Sequence, residues 1–554
     1  MHLLLQVAIS VLPIAVYYFL KPKVDPIPDL PGPESSSWFY GNLAELLLAP
    51  DYGKYEFTWL KRFGSVYQIR GCFGRTQIVI ADPVAMHHVF SSPKWDQAPP
   101  LSTMMWMLFG SQSVEGFRAG GPEHRHLRGA LNGAFTASVV QSYESIFERI
   151  AAGISERIES SPTNTVDIAD ILSDATLSAI SLALLSRPVE ELDPGFVQLN
   201  TNLFRAAARS SKKDLLSTEL LTNYIPRRLL YRLLHFRVAG WHAVIHGRDL
   251  GLAIGRAAVE DKLRAQASGE DQGTEDVYDL LLSGKAGATN KKLDTEELIA
   301  QTTVLLVAGQ DTTANTLAFT LIELARNPAL QDQLRTEIHA RAPGQSYNQL
   351  PLLNAVVKEA LRMFPAEPVT DRLAYEDDII PLSAPVLDRH GRKIECIPVR
   401  KGQVVTMAIA SYQRWRWRPD GDQTRWISTQ CDGWREARSR LATSLVRTQI
   451  CEHSIFHISS EHASHIAQNE LRKWITNVYW MAIRVGRHLS IPCATRSNHP
   501  SSVMEMQIIL CELVGKFSFS IPPGTKTVAR LAHTLLPLDE KIGEKAAMLQ
   551  VRSV

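Results

Sequence analysis

The sequence predicts a mainly α-helical protein with a small β-sheet region, preceded by an amino-terminal transmembrane helix. Three features predict this class: an uncharged apolar stretch at the start, long segments with apolar residues at helical spacing, and short alternating segments early in the body. The chain has 554 residues, 45% hydrophobic side chains and a net charge of +2. It can therefore bury a large core, and it shows no charge excess of the kind that binds nucleic acid.

The apolar start is predicted to be a membrane anchor over residues 1–20. Residues 2–20 carry no formal charge, and their number is about what a helix needs to cross a hydrocarbon core of about 30 Å. A cleaved signal peptide is the alternative, but the stretch is followed by Lys21 and Lys23 and not by a small-residue cleavage site. The basic flank predicts that the body stays on the cytoplasmic side.

Residues 21–42 are predicted to be a proline-rich hinge, because prolines prevent a helix and favour a stiff, extended spacer. The body follows as residues 43–554. The six cysteines of the chain include no CxxC pair. This argues against a disulfide scaffold or a zinc ribbon and indicates a reducing compartment.

Periodicity predicts the main elements of the body. Long helical patterns lie at 143–158, 302–327 and 350–365, and alternating strand patterns lie at 65–71 and 76–82. Residues 265–292 mix glycine with charge and predict exposed loops around one short helix. Helices therefore dominate, with a small sheet near the start.

Polar residues interrupt the longest helical pattern. In VLLVAGQDTTANTLAF, residues 304–319, the run from Gly309 to Thr313 stands among apolar residues, where glycine costs about 1 kcal/mol against alanine and buried polar groups need partners. A threonine hydroxyl bonded back to a carbonyl opens such a helix locally, and an adjacent acid then passes protons through ordered water into a cavity. A polar notch packed against another helix explains the pattern equally well.

A charged pair follows in KEALRMFP, where Glu359 and Arg362 stand three apart on one helical face. Such a pair is ordinarily a solvated surface contact worth roughly 0.2–0.5 kcal/mol. Here prolines end the helix, and Arg372 follows them in the sequence. A guanidinium is suited to bidentate binding of a buried carboxylate, which weakens the surface interpretation.

Several motifs occur in a fixed order along the chain. After the apolar start come LPGPESSSWFYGN, EHRHLRGALNGAF, AGQDTT, KEALRMFP, PVTDRLAYEDD, IPVRKGQVVTMAIASYQR and MEMQIILCELVGKFSFSIPPG. An ExxR pair alone is weak evidence, whereas the ordered set is specific. It resembles the cytochrome P450 superfamily of haem-thiolate monooxygenases, and more closely its membrane-anchored fungal members. The resemblance implies the cytochrome P450 fold for residues 43–554.

The resemblance implies roles for residues of the two helical motifs. Gly309, Asp311 and Thr312 match the notch at which oxygen is activated, where the acid and the hydroxyl manage proton delivery. Glu359 and Arg362 match a structural ion pair beneath the haem. On this basis Asp311 and Thr312 are the expected catalytic residues.

Further residues are implied as contacts of the haem propionates. His124 and Arg128 match a helix whose polar residues meet the propionates, although the family often has tryptophan where His124 stands. Arg372 matches a second propionate contact. Residues 101–110 and those near Val369 would line the substrate pocket, although methionine and aromatic runs are more often plain core.

The activity implied by the resemblance is a haem-dependent insertion of one oxygen atom from O2 into a hydrophobic small molecule. Electrons would come from a membrane-bound, NADPH-dependent reductase. The implied location is the endoplasmic reticulum membrane, with the catalytic domain cytoplasmic.

The resemblance breaks at the haem ligand. A haem-thiolate enzyme needs a cysteine in a loop with glycine for tight turning and arginine for a propionate, in the family pattern FxxGxRxCxG, nine residues before the glutamate of the following helix. Counting back from Glu505 reaches Arg496, and Cys493 lacks the glycines and the arginine of the motif. Cys493 is therefore a candidate metal ligand by position alone, and we expect it to be a bystander.

The departure from the family pattern spans residues 427–503. The pattern returns in register at Met504, which indicates a translated intron or a local frameshift more than gradual divergence. A zinc site formed by Cys451 and the histidines of EHSIFHISSEHASH is a rival account, although their spacing follows no zinc-finger pattern. The alternative to an active monooxygenase is a catalytically inactive, P450-like membrane protein or the product of mis-splicing.

Overall fold

A computed structural model describes residues 29–237, 239–268, 276–284, 292–414, 501–532 and 534–554. The predicted anchor, the first part of the hinge, nearly all of the departing segment and Cys493 lie outside these residues. One helix of the described chain, Ile168–Leu185, is long and apolar enough to cross a membrane, but 72% of it is buried inside the protein. It therefore has the burial of a core helix.

Helices form most of the described body. They are α1 Leu43–Leu47, α2 Glu56–Phe63, α3 Pro83–Ser91, α4 Pro99–Phe109, α5 Pro122–Gly133, α6 Ala137–Ser142, α7 Glu144–Glu159, α8 Ile168–Leu185, α9 Pro194–Ala208, α10 Lys212–Tyr224, α11 Arg227–Arg237, α12 Ala239–Ser268, α13 Val277–Ser283, α14 Thr295–Arg326, α15 Pro328–His339, α16 Pro351–Met363, α17 Ile409–Arg414 and α18 Ser501–Lys516. Short 3-10 turns lie at Cys72–Gly74, Val189–Glu191 and Tyr347–Gln349.

Within the described residues, the strands form one five-stranded sheet and three smaller sheets. They are β1 Val66–Arg70, β2 Thr76–Ile80, β3 Trp95–Gln97, β4 Thr165–Asp167, β5 Thr370–Ala374, β6 Asp378–Leu387, β7 Lys393–Val399, β8 Val404–Met407, β9 Phe517–Ser520, β10 Thr527–Ala532, β11 Thr534–Asp539 and β12 Met548–Ser553. The largest sheet has the order β1-β2-β8-β5-β3, and a second has the order β4-β12-β9. β6 with β7 and β10 with β11 form antiparallel hairpins.

The helix α14 is the axis of the larger core. Its 32 residues span about 48 Å at 1.5 Å per residue, and a capping box between Asp294 and Glu297 fixes its start. Nearly all its side chains are buried, because α8, α12, α16 and α18 pack around it. Phe319 of α14 stacks on Phe364 at the end of α16, with ring centroids 4.5 Å apart. This contact fixes the helix of the ExxR pair against the central helix.

The second core covers the five-stranded sheet. It contains Tyr67, Ile78 and Val405, which are fully buried on β1, β2 and β8. Val369, in the segment between α16 and β5, packs against both cores. The segment that follows the ExxR helix therefore runs along the boundary between the sheet and the helical body.

The elements predicted from periodicity are confirmed, and the sheet extends further than predicted. The strand patterns became β1 and β2, the three helical patterns became α7, α14 and α16, and the short helix within 265–292 is α13. The sheet predicted near the start also recruits β5 and β8 from residues 370–407. β8 pairs with β2 across more than 300 residues of sequence, as in Ile78 opposite Val405, and β5 pairs with β3 across more than 270. Local periodicity does not report such pairings.

Candidate active site

The ExxR residues form a bidentate ion pair. Arg362 donates from Nε to Glu359 Oε2 at 2.8 Å and from Nη2 to Oε1 at 2.7 Å. Its Nη1 donates to the carbonyl of Gln413 at 2.6 Å. The pair therefore joins α16 to the end of α17 and is more than a surface contact. Its predicted place beneath a haem stays a prediction.

Arg414 extends this charged cluster into the core. Its Nη2 donates to the carbonyl of Met363, and the whole side chain is buried. Burial, with a smaller contribution from Arg362, lowers the pKa of Arg414 to about 10, against Tyr52 and Glu56, which act to raise it. Arg414 was not predicted from the sequence, although it is the last residue of the motif IPVRKGQVVTMAIASYQR.

Gly309 allows two helices to approach closely. A Cβ atom built on it would lie 2.8 Å from Cγ1 of Ile180 on α8, a distance that real Cβ atoms do not show. The missing side chain therefore serves the packing of α8 on α14. The contacts of the described residues do not test its predicted role at a cofactor.

Thr312 bonds back along its own helix. Its Oγ1 donates to the carbonyl of Ala308 at 2.8 Å, and the side chain is only partly buried, unlike most of α14. A hydroxyl bonded to the i−4 carbonyl weakens the helical ladder locally. A threonine hydroxyl bonded in this way was predicted from the sequence, and delivery of a proton by Thr312 stays a prediction.

Asp311 is held in a buried ion pair. Lys545 Nζ lies 2.7 Å from Asp311 Oδ1, and the two side chains are 2% and 1% exposed. The Oγ of Ser173 on α8 donates to the same oxygen at 2.8 Å. Sequence reasoning missed both partners, because Lys545 stands in a charged, surface-like segment near the carboxyl end.

Gln310 continues the polar contacts toward α9. Its Nε2 donates to Ser173 Oγ at 3.1 Å, and its Oε1 accepts from Asn200 Nδ2 at 2.5 Å. Its backbone carbonyl accepts the hydroxyl of Thr176 at 2.8 Å. The polar notch is thus packed against α8 and α9. For Gly309, Gln310 and Asp311, this confirms the prediction of a polar notch packed against another helix.

Arg372 is a buried cation on β5. It pairs across the sheet with Gln97 and Val405, lies over the ring of Phe90 at 5.3 Å and is 3% exposed. Neither Nη1 nor Nη2 has a hydrogen-bond partner among the described residues. Burial lowers the pKa of this guanidinium, against nearby acids that raise it. The side chain therefore presents two donors suited to an anionic oxygen pair.

Acidic side chains surround Arg372. Burial raises the pKa of Glu367 to about 7, while Arg372 acts to lower it, and one Glu367 oxygen has no partner in the described chain. Burial likewise raises the pKa values of Asp96 and Asp371.

His124 and Arg128 lie on α5. His124 is 9% exposed, and burial, with a further contribution from Arg128, lowers its pKa to about 4. Its Nδ1 accepts the backbone N–H of Gly120 at 3.3 Å. The ring is therefore neutral at pH 7 with its proton on Nε2, a neutral donor beside the half-buried Arg128.

The pKa of His124 predicts a pH dependence of stability. Because folding depresses this pKa from 6.5 to about 4, its contribution is complete above pH 6.5 and is lost as the pH falls toward 4. We expect wild type to lose about 3 kcal/mol relative to His124→Gln over this range. Thermal unfolding of both proteins from pH 7 to 4 measures it, and parallel curves would contradict the assignment.

Two of the cysteines among the described residues are poor thiolates. Cys72 and Cys511 are buried, and burial raises their pKa values to about 12 and about 11. Cys396 is exposed on β7, in the hairpin with β6. Glu505, at the start of α18, is also buried, which raises its pKa to about 8. Cys493, the candidate haem ligand named from the sequence, lies outside the described residues.

This chain belongs to the cytochrome P450 family. The family model for cytochrome P450 matches residues 31–381, which include α5, α14, α16 and β5. The family's monooxygenases are haem-dependent oxidoreductases. The match ends ahead of residues 427–503.

Known relatives are fungal cytochrome P450 monooxygenases, which confirms the predicted family. Cytochrome P450 monooxygenase 205 of Postia placenta is 28% identical over 435 residues, covering 74% of this chain and 79% of that protein. The monooxygenase claO of Ampulloclitocybe clavipes is 29% identical over 412 residues, covering 70% and 73%. The monooxygenase eriI of Hericium erinaceus is 27% identical over 482 residues, covering 80% and 86%.

Proposed function

We propose that this protein, in a form whose haem-ligand segment carries the cysteine motif, is a monooxygenase that oxidises a hydrophobic small molecule. It would use O2 and electrons from an NADPH-dependent reductase. The observation that carries the proposal is the buried guanidinium of Arg372, whose two terminal nitrogens have no partner among the described residues. Such a group costs free energy unless an anion meets it.

The residues around Arg372 fit the propionate end of a haem. Arg372 would bind one propionate through both terminal nitrogens, and Arg128 would face the other with His124 as a neutral donor. The bound haem would supply the activation of O2. The chain's own contribution is to hold the propionates, to exclude water and to keep the Oγ1 proton of Thr312 near the reacting site.

The apolar environment supports a hydrophobic substrate. α14 is lined by buried aliphatic side chains on both sides of the Gly309–Thr313 notch, and α4 contributes buried methionines. Side chains of this kind favour contact with apolar molecules, because binding removes apolar surface from water. The membrane anchor, the endoplasmic reticulum location and the reductase rest on the uncharged residues 2–20 and on the family.

A catalytically inactive relative is the second candidate. It is favoured by the raised pKa values of Cys72 and Cys511, which remain thiols at neutral pH, and by the departure of residues 427–503 from the family pattern. Sequencing the transcript across residues 418–503 separates the candidates. A spliced message that encodes FxxGxRxCxG supports the active enzyme.

Replacing Arg372 with leucine is expected to speed haem loss by at least about tenfold, because it removes one charge-assisted propionate contact. The measurement is transfer of haem from the loaded full-length protein to an excess of apomyoglobin. Arg264→Leu is the matched control, since that arginine is exposed and pairs with the exposed acids Glu260 and Asp261. Thermal unfolding of the haem-free variants checks folding, and equal haem loss from both variants would refute the role of Arg372.

A further inference from the structure

The first residues of the described chain are fixed to the end of the β6–β7 hairpin. The backbone N–H of Arg389 donates to the carbonyl of Asp29 at 2.8 Å, and its Nε donates to the carbonyl of Leu30 at 3.2 Å. Leu30 is fully buried. The chain therefore enters the body at a defined position, beside the turn of this hairpin.

The segment that follows runs along the edge of the five-stranded sheet. The N–H of Gln68 donates to the carbonyl of Pro31 at 3.0 Å, and the N–H of Asn42 donates to the carbonyl of Arg70 at 2.6 Å. Gln68 and Arg70 both lie on β1, the edge strand of that sheet. Residues 31–42 therefore cover this edge, from the hairpin end toward the turn between β1 and β2.

The covalent chain limits how far the hairpin end lies from the membrane. Asp29 stands nine residues after Leu20, the last residue of the proposed anchor. Nine residues span at most about 32 Å when fully extended. If residues 1–20 cross the bilayer, the hairpin end that holds Asp29 therefore lies within this distance of the point where the anchor ends.

Large apolar side chains are exposed in the same part of the body. Trp38 is 53% exposed, Phe39 is 54% exposed, and Leu387, at the end of the hairpin, is 55% exposed. The ring of Trp38 makes edge-to-face contacts with Phe39 and with the buried Phe73, at centroid distances of 5.3 and 5.6 Å. Trp38 is thus held in place while it is exposed. Tryptophan exposed in this way is typical of side chains at the interface between water and a bilayer.

Basic side chains dominate the exposed charge at the end of the hairpin. The side chains of Arg389 and Arg392 are 47% and 72% exposed, and Lys393 is also exposed. The side chain of Asp388 is only 1% exposed, because it accepts two backbone N–H groups of the hairpin turn. Asp29 is 46% exposed and offsets one of the three cations. This end therefore presents an excess of positive charge, which anionic lipid headgroups attract.

From these contacts we propose that a hinge face, made of Trp38, Phe39, Leu387 and residues 389–393, rests in the headgroup layer of the bilayer that carries the anchor. The proposal rests on the anchor of the proposed function and names the lipid that the body contacts, one with an anionic headgroup. The apolar side chains enter the headgroup layer, and the cations pair with the anionic groups of the lipids. Held both by the anchor and by this face, the body has a fixed orientation on the membrane.

Hydrogen exchange of the full-length protein in lipid nanodiscs tests the proposal. Each protein is measured in nanodiscs of phosphatidylcholine and in nanodiscs that also contain phosphatidylserine. For wild type, we expect exchange at residues 36–40 and 388–393 to be about fivefold slower in the anionic nanodiscs, and the difference to shrink at high salt. The ratio of the two rates is compared between proteins, because the effect of a substitution on intrinsic exchange cancels in it.

Two double variants assign the effect to the hinge face. Arg392→Gln with Lys393→Gln removes two cations, and we expect the rate ratio to fall toward one at both segments. Trp38→Ser with Phe39→Ser removes the aromatic contact, and we expect the ratio at residues 36–40 to fall most. Leu263→Ser is the matched control, because Leu263 is 45% exposed on α12, outside the hinge face. This control should keep the wild-type ratio.

The outcomes are distinct. Equal exchange of wild type in the two kinds of nanodisc, or slowing that persists in Arg392→Gln with Lys393→Gln, overturns the proposal. Slowing that needs two copies in one nanodisc and does not depend on lipid charge also overturns it, and assigns the face to contact between copies. Thermal unfolding of each variant confirms that it folds. If the anchor fails, the full-length chain separates from the nanodiscs during gel filtration at high salt. If only this inference fails, the chain stays with the nanodiscs and exchanges equally in both.

Discussion

Replacing Lys545 with methionine is expected to lower the free energy of unfolding by about 3–5 kcal/mol. The side chain of Lys545 is 2% exposed, and its Nζ lies 2.7 Å from Asp311 Oδ1. Methionine has a similar length but leaves the carboxylate buried with only the hydroxyl of Ser173 as donor. A buried charge without its partner is much more costly than the loss of a surface pair. Urea unfolding of the full-length protein measures the effect.

Two other variants isolate the ion pair as the cause. The double variant Lys545→Met with Asp311→Leu removes both charges and should recover most of the lost stability. Lys526→Met is the matched control, since the ion pair of Lys526 with Glu540 is exposed at the open end of the β10–β11 hairpin and its loss should change stability little. A Lys545→Met variant as stable as Lys526→Met would contradict the buried pair.

The local elements near the site were predictable from the sequence. α7, α14 and α16 carry apolar residues at helical spacing, and the caps and prolines at their ends lie within the same few residues. The ExxR pair was equally visible, because both partners lie on one helix and three residues apart. Local spacing alone brings Glu359 and Arg362 together.

The partners of the central polar residues were not predictable in this way. Lys545 contacts Asp311 across 234 residues of sequence, and Asn200 contacts Gln310 across 110. Such contacts depend on how α8, α9 and the carboxyl-terminal segment pack on α14, and periodicity carries no information on that packing. Lys545 looks like a surface residue in DEKIGEKAAM, and only the fold shows it to be buried.

Gly309 shows how a single residue admits two explanations. The family resemblance assigns it to the oxygen-activation notch, whereas the structure places Ile180 of α8 against its Cα. The two roles are compatible, because a glycine that lets α8 approach also brings Ser173 within reach of Asp311. The packing role follows from geometry. The catalytic role is tested in an active relative, by measuring whether oxygen use stays coupled to product formation.

The haem ligand is the second feature for which a large effect is expected. When the chain with its present residues 427–503 is loaded with haem and reduced, we expect no carbon monoxide absorption band of the kind that cysteine-thiolate ligation would produce. A thiolate needs a loop that aims the sulfur and stabilises its charge. The segment around Cys493 lacks the glycines and the arginine of that loop, and Cys72 and Cys511 are thiols because burial raises their pKa values.

The reduced carbon monoxide spectrum of this chain beside that of Cys493→Ala tests the account most directly. A version with residues 427–503 replaced by a spliced segment that contains FxxGxRxCxG is the positive control, and it should give the thiolate band on the same α14, α16 and β5 framework. We expect no thiolate band from this chain and none from Cys493→Ala. A thiolate band that is present in this chain and lost in Cys493→Ala would identify Cys493 as the haem ligand and contradict the account.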